Sequence, residues 1–290
     1  MHIVESKGIL SSQNGMNPYR GCIHGCIYCD SRSKCYQINH DFEDVEIKIN
    51  APELLEQKIK SKRKKCMIGT GSMCDPYMPI EEKYQITRKC MELVDKYEFG
   101  FTFITKSTRC LRDLDLIKKI NSKTKCVVQM TLTTFNDQLC RIIEPNVSTT
   151  SERFNALKVF KENDIPTVVW FTPFLPYLND TEENLRGLLD MCIKANVKGI
   201  ICFGIGFTMR EGNREYLYQQ FDKYFPGLSN IYQREFGLSY DCRSKNSNAL
   251  MKIFYKLCKE NNIMSNINEI FEYLHTFEQK NECKQLSLFD

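Results

Sequence analysis

Short runs of β-branched and aromatic residues alternate with amphipathic segments from residue 42 to residue 203, and this alternation limits the possible folds more than any other feature of the chain. Strand-like runs fall at 42–49, 66–71, 99–105, 126–132, 166–171 and 198–203. Helical periodicity fills the intervals at 52–62, 80–97, 111–120, 151–163 and 181–195. Pro52 suits a first helical turn. Thr181, followed by Glu182 and Glu183, reads as a capped helix start with acidic residues facing the positive end of the dipole. One helix between successive strands argues for parallel βαβ units. Six units, beginning with a strand around residues 8–10 or at 42–49, fit a partial barrel. Periodicity alone leaves a doubly wound sheet open as well.

Past residue 206 the pattern changes. Segments 210–225 and 248–260 look helical, 269–277 reads as a short helix, and the polar stretch 278–284 predicts a mobile tail. The expected division is a core at 1–206 with a cysteine loop at 16–30, a helical extension at 207–277, and a short mobile tail at 278–290.

The chain has 290 residues, enough for one large domain. No run of about 18 apolar residues is present to span a bilayer. The start, Met1 to Glu5, lacks the basic segment and apolar core of a signal peptide, so a cytoplasmic protein is expected. A formal net charge of +4 is too small to demand nucleic acid as a partner. The basic run Lys60 to Lys65, with Ser61 inside it, ends a predicted helix and reads as a solvated terminus rather than a phosphate site. Fifteen cysteines are scattered and odd in number. Cys66, Cys126 and Cys202 lie in strand-like runs, and Cys90 and Cys192 in helix-like ones, where free cysteine behaves as a small hydrophobe.

Three cysteines are different. Cys22, Cys26 and Cys29 form a C-x3-C-x2-C arrangement with Tyr28 just before the last. Three thiolates at this spacing can hold three irons of a [4Fe–4S] cluster and leave the fourth open to a substrate or cofactor. A zinc site usually takes four ligands in close pairs. His24 is the nearest candidate for a fourth, but it lies inside the loop, where closure would be strained.

This motif, with Asn17-Pro18-Tyr19-Arg20-Gly21 before it and Asp30 after it, resembles the radical S-adenosylmethionine (SAM) enzymes, in the subgroup related to spore photoproduct lyase. The resemblance continues through Asp75-Pro76-Tyr77, Thr105-Lys106-Ser107 and Arg112 to Leu116. It resumes at Thr131 to Thr134, Glu144-Pro145, Arg153 and Pro173 to Asp180, covering about residues 16–205. It implies an α/β fold, the partial (β/α)6 TIM-type barrel, with the active site at the C-terminal ends of the strands. It also implies a [4Fe–4S] cluster on Cys22, Cys26 and Cys29, with SAM as cofactor. One electron would cleave the sulfonium to release a 5′-deoxyadenosyl radical, and a flavodoxin or ferredoxin would donate it. Cys242, Cys258 and Cys283 are too dispersed for a second cluster.

Cofactor contacts follow from the same resemblance. Tyr28 would pack on the adenine, though simple packing under the loop would also explain it. Gly71 and Ser72, ending the second strand, would meet the methionine amino group. Lys106 or Arg153 would pair with the methionine carboxylate. Thr131, Thr133 and Thr134 would offer hydroxyls to the ribose, although threonine also favours strands. Asn179 and Asp180 would follow the fifth strand, where a turn role alone would account for them. Cys74 is the candidate hydrogen-atom donor. In spore photoproduct lyase a cysteine just after the second strand has that task. Here Ser72 occupies the aligned position and Cys74 stands two residues on, on the same side of an extended chain.

The C-terminus, Gln285-Leu286-Ser287-Leu288-Phe289-Asp290, resembles the pentapeptide by which bacterial polymerases and repair proteins dock on the sliding clamp. Gln285 would make polar contacts, while Leu286, Leu288 and Phe289 would supply the apolar side. Together these features predict a radical SAM enzyme acting on DNA, lyase-like and in repair. The other readings are the same chemistry on a protein, RNA or small molecule, and a non-enzymatic iron–sulfur redox or sensor protein.

Overall fold

The computed structural model describes residues 1–280. Its centre is a six-stranded parallel sheet of β2 (Gly15–Met16), β5 (Met67–Thr70), β6 (Gly100–Thr105), β7 (Cys126–Thr131), β8 (Thr167–Trp170) and β9 (Gly199–Ile201), hydrogen-bonded in that order. Consecutive order means that every crossover advances in the same direction. A doubly wound sheet reverses its order part-way, so the fold is a partial barrel. A second sheet joins β1 (His2–Val4), β4 (Glu46–Lys48) and β3 (Tyr19–Arg20), and a hairpin-like pair joins β10 (Gly206–Thr208) to β11 (Asp241–Arg243).

The helices in the core are α1 (Ala51–Ser61), α2 (Glu81–Tyr84), α3 (Ile86–Lys96), α4 (Leu114–Lys123), α5 (Asp137–Ile143), α6 (Thr150–Glu162) and α7 (Glu182–Lys194). The extension adds α8 (Asn213–Tyr224), α9 (Leu228–Phe236), α10 (Ser247–Glu260) and α11 (Ile267–His275). None of the helices among the described residues is long and apolar enough to cross a membrane.

Alternation along the strands separates two faces. Phe101, Phe103, Val128, Met130, Val169 and Ile200 face outward into the core shared with the helices. Val127, Val168 and Ile201 face inward and pack on Ile270 and Leu274 of α11. Helix α11 therefore lies on the concave side of the barrel and fills its lower part. A cavity of about 280 Å³ above it is lined by Thr102, Gln129, Trp170 and His275.

Several expected elements change on folding. The run 42–49 is a strand only at Glu46–Lys48, and it belongs to the small sheet rather than the barrel. The barrel begins instead with the two-residue β2. The single helix expected at 80–97 breaks at Gln85, which is left-handed at φ 52°. The break is stabilised by Glu81, whose buried carboxylate accepts the amides of Thr87 at 3.1 Å and Arg88 at 3.2 Å and the Tyr19 hydroxyl. An anion there also complements the N-terminus of α3. Thr181 accepts the Asn184 amide at 3.1 Å, as a helix cap does.

The extension is not wholly helical, because it contains β10 and β11. The expected tail boundary at 278 also moves: Lys125 holds Glu278, and the Lys280 amide donates to the Lys123 carbonyl at 2.8 Å. The clamp-like residues Gln285, Leu286, Leu288 and Phe289 lie outside the described residues.

Candidate active site

The cysteine loop is held from three sides before any metal is considered. Its entry is fixed by β3 and by the Cys22 amide, which donates to Phe42 carbonyl at 2.9 Å. Its middle is clamped by the turn after α5. Asn146 donates from its backbone to His24 carbonyl and from its side chain to Ile23 carbonyl, each at 3.1 Å, and the Ile27 amide donates to Ile143 carbonyl at 3.0 Å. Its exit is tied to the extension, where Arg210 meets the Asp30 carboxylate at 2.7 Å and the Tyr36 hydroxyl at 2.9 Å.

Cys22, Cys26 and Cys29 all line one cavity at the top of the barrel, together with His24, Gly71, Ser72, Cys74, Asp75 and Lys106. Three thiols on one cavity with a fourth position open suit a polynuclear iron–sulfur site better than a closed four-ligand zinc. Burial pushes the Cys22 and Cys26 thiols up, so their thiolates need a positive centre, which bound iron provides. His24 is buried and turns Nδ1 toward Asp75 Oδ2 at 3.4 Å, while its Nε2 has no partner.

Asp75 organises this end of the barrel. Its carboxylate accepts the Tyr77 amide at 2.8 Å, the Thr105 hydroxyl at 2.7 Å and the Lys106 amide at 2.7 Å. It thereby fixes the chain that carries Lys106. Burial opposes charge on the Lys106 ammonium, but Cys26 and Glu144 hold its pKa above the usual lysine value. The ammonium makes no ion pair among the described residues and lies 5.9 Å from the Tyr28 ring. Gly71 is left-handed at φ 98°, and a Cβ there would fall 2.2 Å from the Ile104 carbonyl oxygen. Its close approach is to the neighbouring strand.

A larger cavity of about 780 Å³ opens beside the cluster site. Tyr28, Cys29, Ser72 and Lys106 form its floor. Trp170, Phe203 and the β10–β11 pair, with Phe207, Tyr240 and Arg243, form its walls. Its volume is ordinary for a ligand pocket. Ser72 reaches both cavities; Cys74 lines only the cluster side, where its thiol donates to Tyr19 carbonyl at 3.0 Å.

Tyr28, Gly71, Ser72, Lys106, Cys74 and the three cysteines are thus brought together. The remaining expected contacts are not. Arg153 is fully buried: it donates to the Thr131 carbonyl at 2.6 Å and pairs with Glu144, which also receives the Tyr28 hydroxyl. Its guanidinium is engaged within the protein and does not face the cavity, because a buried cation takes the nearest buried carboxylate. Thr131 and Thr133 are buried and serve through their carbonyls. The Thr133 carbonyl accepts the Asn179 amide group at 2.7 Å and that of Asn184 at 3.1 Å. Asn179 therefore pins the turn after β8 rather than reaching into the cavity.

The family model described as the radical SAM superfamily matches residues 16–191. The chain belongs to that superfamily. Members of that superfamily take a [4Fe–4S] cluster and SAM, and the Cys22, Cys26 and Cys29 triad fits such a cluster. Among curated relatives, an uncharacterized protein of Methanocaldococcus jannaschii is 36% identical over 169 residues, 58% of this chain and 62% of that protein. An uncharacterized protein of Mycobacterium tuberculosis is 27% identical over 198 residues, 66% of this chain and 58% of that one. The match thus spans about three-fifths of each relative. Among solved structures, spore photoproduct lyase complexed with dinucleoside spore photoproduct has a TM-score of 0.64 at 13% identity, covering 91% of this chain and 80% of the other. A mutant of that lyase with bound AdoMet and the photoproduct has a TM-score of 0.59, covering 87% and 74%. At that identity the likeness shows the shared fold.

Sequence reasoning missed the roles of Glu144 and Asp75, although both sit in motifs it had noticed. It also missed the aromatic wall. Its one available signal was Phe203, an apolar residue at a strand end.

Proposed function

We propose that this radical SAM enzyme acts on a nucleobase in DNA, in a lyase-like repair reaction. One observation carries the reading: the wall of the large cavity presents flat aromatic faces beside a cation. Phe203 is 56% exposed although large and apolar, and its ring lies 6.0 Å from that of Trp170. Tyr240 and Arg243 stand on the same wall, where Asp241 pairs with one side of the exposed guanidinium at 3.2 Å. Bases stack on such faces, and a guanidinium meets phosphate. The dinucleoside photoproduct held by the structurally similar lyase supports the same substrate class.

Cys22, Cys26 and Cys29 would hold the cluster, which when bound and reduced would supply the electron for reductive cleavage of SAM. Lys106 would offer its free ammonium to the methionine carboxylate, and Tyr28 would supply a fixed ring for the adenine. Cys74 is the proposed hydrogen-atom donor. Burial pushes its thiol up to about 12, so the S–H bond that a donor must break is intact at neutral pH. Cys74→Ala then changes the product distribution without removing SAM cleavage; unchanged products would end that role.

The test of the substrate is anaerobic turnover with dithionite and SAM, following 5′-deoxyadenosine. Single-stranded, duplex and ultraviolet-irradiated DNA are compared with RNA and peptide. DNA-stimulated turnover with a mass change in a base is expected. SAM cleavage that no DNA affects, with neither DNA binding nor base modification, would overturn the reading.

A further inference from the structure

We infer that His2, His40 and Glu46 form a second metal site, for one divalent ion of the zinc type, outside the iron–sulfur centre. A ring nitrogen of each histidine and a carboxylate oxygen of Glu46 lie within 4.8 Å of one another. The register explains the meeting. Strands β1 and β4 pair in parallel with His2 directly opposite Glu46, so both side chains leave the same face. His40 enters from the preceding loop, its ring 5.2 Å from that of His2 and edge-on to it.

The hydrogen bonds decide the chemistry. His40 Nδ1 is 2.9 Å from the Asp41 carbonyl oxygen, which can only accept. Nδ1 therefore carries the hydrogen, and in the neutral ring Nε2 presents a lone pair. That lone pair faces Glu46 Oε1 at 3.0 Å. Two acceptors this close require a positive centre, either a proton on Nε2 or a metal ion. His2 is arranged alike: Nδ1 lies 3.1 Å from Asp44 Oδ2, which leaves Nε2 as its lone-pair nitrogen. A backbone carbonyl behind one imidazole and a carboxylate behind the other is the outer shell that metal-binding histidines use. Two imidazoles and one carboxylate suit zinc and its neighbours, with water in a fourth position.

Competing charge is present. The Arg20 guanidinium lies 3.7 Å from Glu46 Oε1, but two of its hydrogen bonds go to the carbonyls of Tyr36 and Gln37, at 3.1 and 2.8 Å. Asp44 also receives the Met1 amine. Glu46 keeps a second oxygen for the ion. The position gives the site a purpose. It joins β1, β4 and the 40–44 loop, and that loop supplies the Phe42 carbonyl to the Cys22 amide. A bound ion would staple the platform from which the cysteine loop starts.

The test uses the cluster-loaded enzyme without an N-terminal tag, so that the cysteines are occupied and no added histidines compete. Co²⁺ is titrated anaerobically as a spectroscopic probe and then displaced with Zn²⁺. The expected result is one Co²⁺ per chain with the visible ligand-field bands of a four-coordinate ion, bleached by Zn²⁺. His40→Ala is expected to abolish the bands, and Asp44→Ala, which removes the acceptor behind His2 together with the partner of the Met1 amine, to weaken binding by about 10-fold. Cluster absorbance should persist in both variants, showing that they fold. Absence of ligand-field bands at millimolar Co²⁺, or equal binding by wild type and His40→Ala, would overturn the site and leave a proton between His40 and Glu46.

Discussion

A buried cation closes each end of this barrel, and the two are built differently. At the top, Arg153 and Glu144 are both completely buried. They are knitted to Tyr28, to the Thr131 carbonyl and, at 2.9 Å, to Cys140 Sγ. At the base, Lys125 is buried but Glu278, its partner, is nearly half exposed. Lys125 also donates to the carbonyls of Tyr273 at 2.8 Å and Thr276 at 3.2 Å, and its ammonium sits 3.8 Å from the Tyr273 ring. The upper pair sets the position of a residue in the cysteine loop. The lower one fastens the end of the described chain. Where chemistry needs a fixed side chain, both charges are sealed from water; where only closure is needed, one is left wet.

The sharpest break of this comparison is Glu144→Gln, which strands the Arg153 charge in the interior. It is expected to cost about 3–5 kcal/mol in anaerobic urea denaturation. A cost below about 1 kcal/mol would mean that the upper pair is no tighter than a surface one. The pH dependence sharpens the same point. Burial raises the Glu144 pKa, but Arg153 and Lys106 outweigh it and hold the carboxyl below its usual value. Its contribution is then present in full above the unfolded carboxylate pKa of about 4.3 and is lost as pH falls through the lower folded value. The stability gap between wild type and Glu144→Gln should therefore shrink on acidification, and a constant gap would contradict this.

At the base, Lys125→Met keeps the stem and removes the donors. A cost of about 2 kcal/mol is expected, since the exposed Glu278 turns to water while two carbonyls lose a partner. If it matched Glu144→Gln, the asymmetry between the two ends would be gone. Tyr28→Phe is the smallest change, at about 1 kcal/mol, because Glu144 keeps Arg153. Its binding of SAM should weaken only if the hydroxyl fixes the ring, which equilibrium binding measures.

What could be read from the sequence was local. The spacing of Cys22, Cys26 and Cys29 lies within eight residues, and the strand at 126–132 and the helix start at Thr181 carry their own period and cap. The strand of two residues at Gly15–Met16 has no period to detect. The pairing of β10 with β11 joins segments more than thirty residues apart, each three residues long. In the site, Glu144 stands only nine residues before Arg153 but at the end of α5 while Arg153 lies in α6, so their pairing depends on how two helices pack, and Tyr28 joins them from 116 residues away. A cation's type is legible from sequence, but its counter-ion is not. The break at Gln85 is of the same kind, since Glu81 must fold back to stabilise it.

Trp170 is the one tryptophan in the chain, and it stands where the large cavity and the cavity above α11 meet. Its indole nitrogen donates to Gln129 at 2.8 Å, so the ring is held in one orientation. The protein therefore carries its own optical probe: excitation of a single fluorophore reports on both chambers, with no other indole to obscure it. Emission from the cluster-free chain can follow the filling of either space without a label.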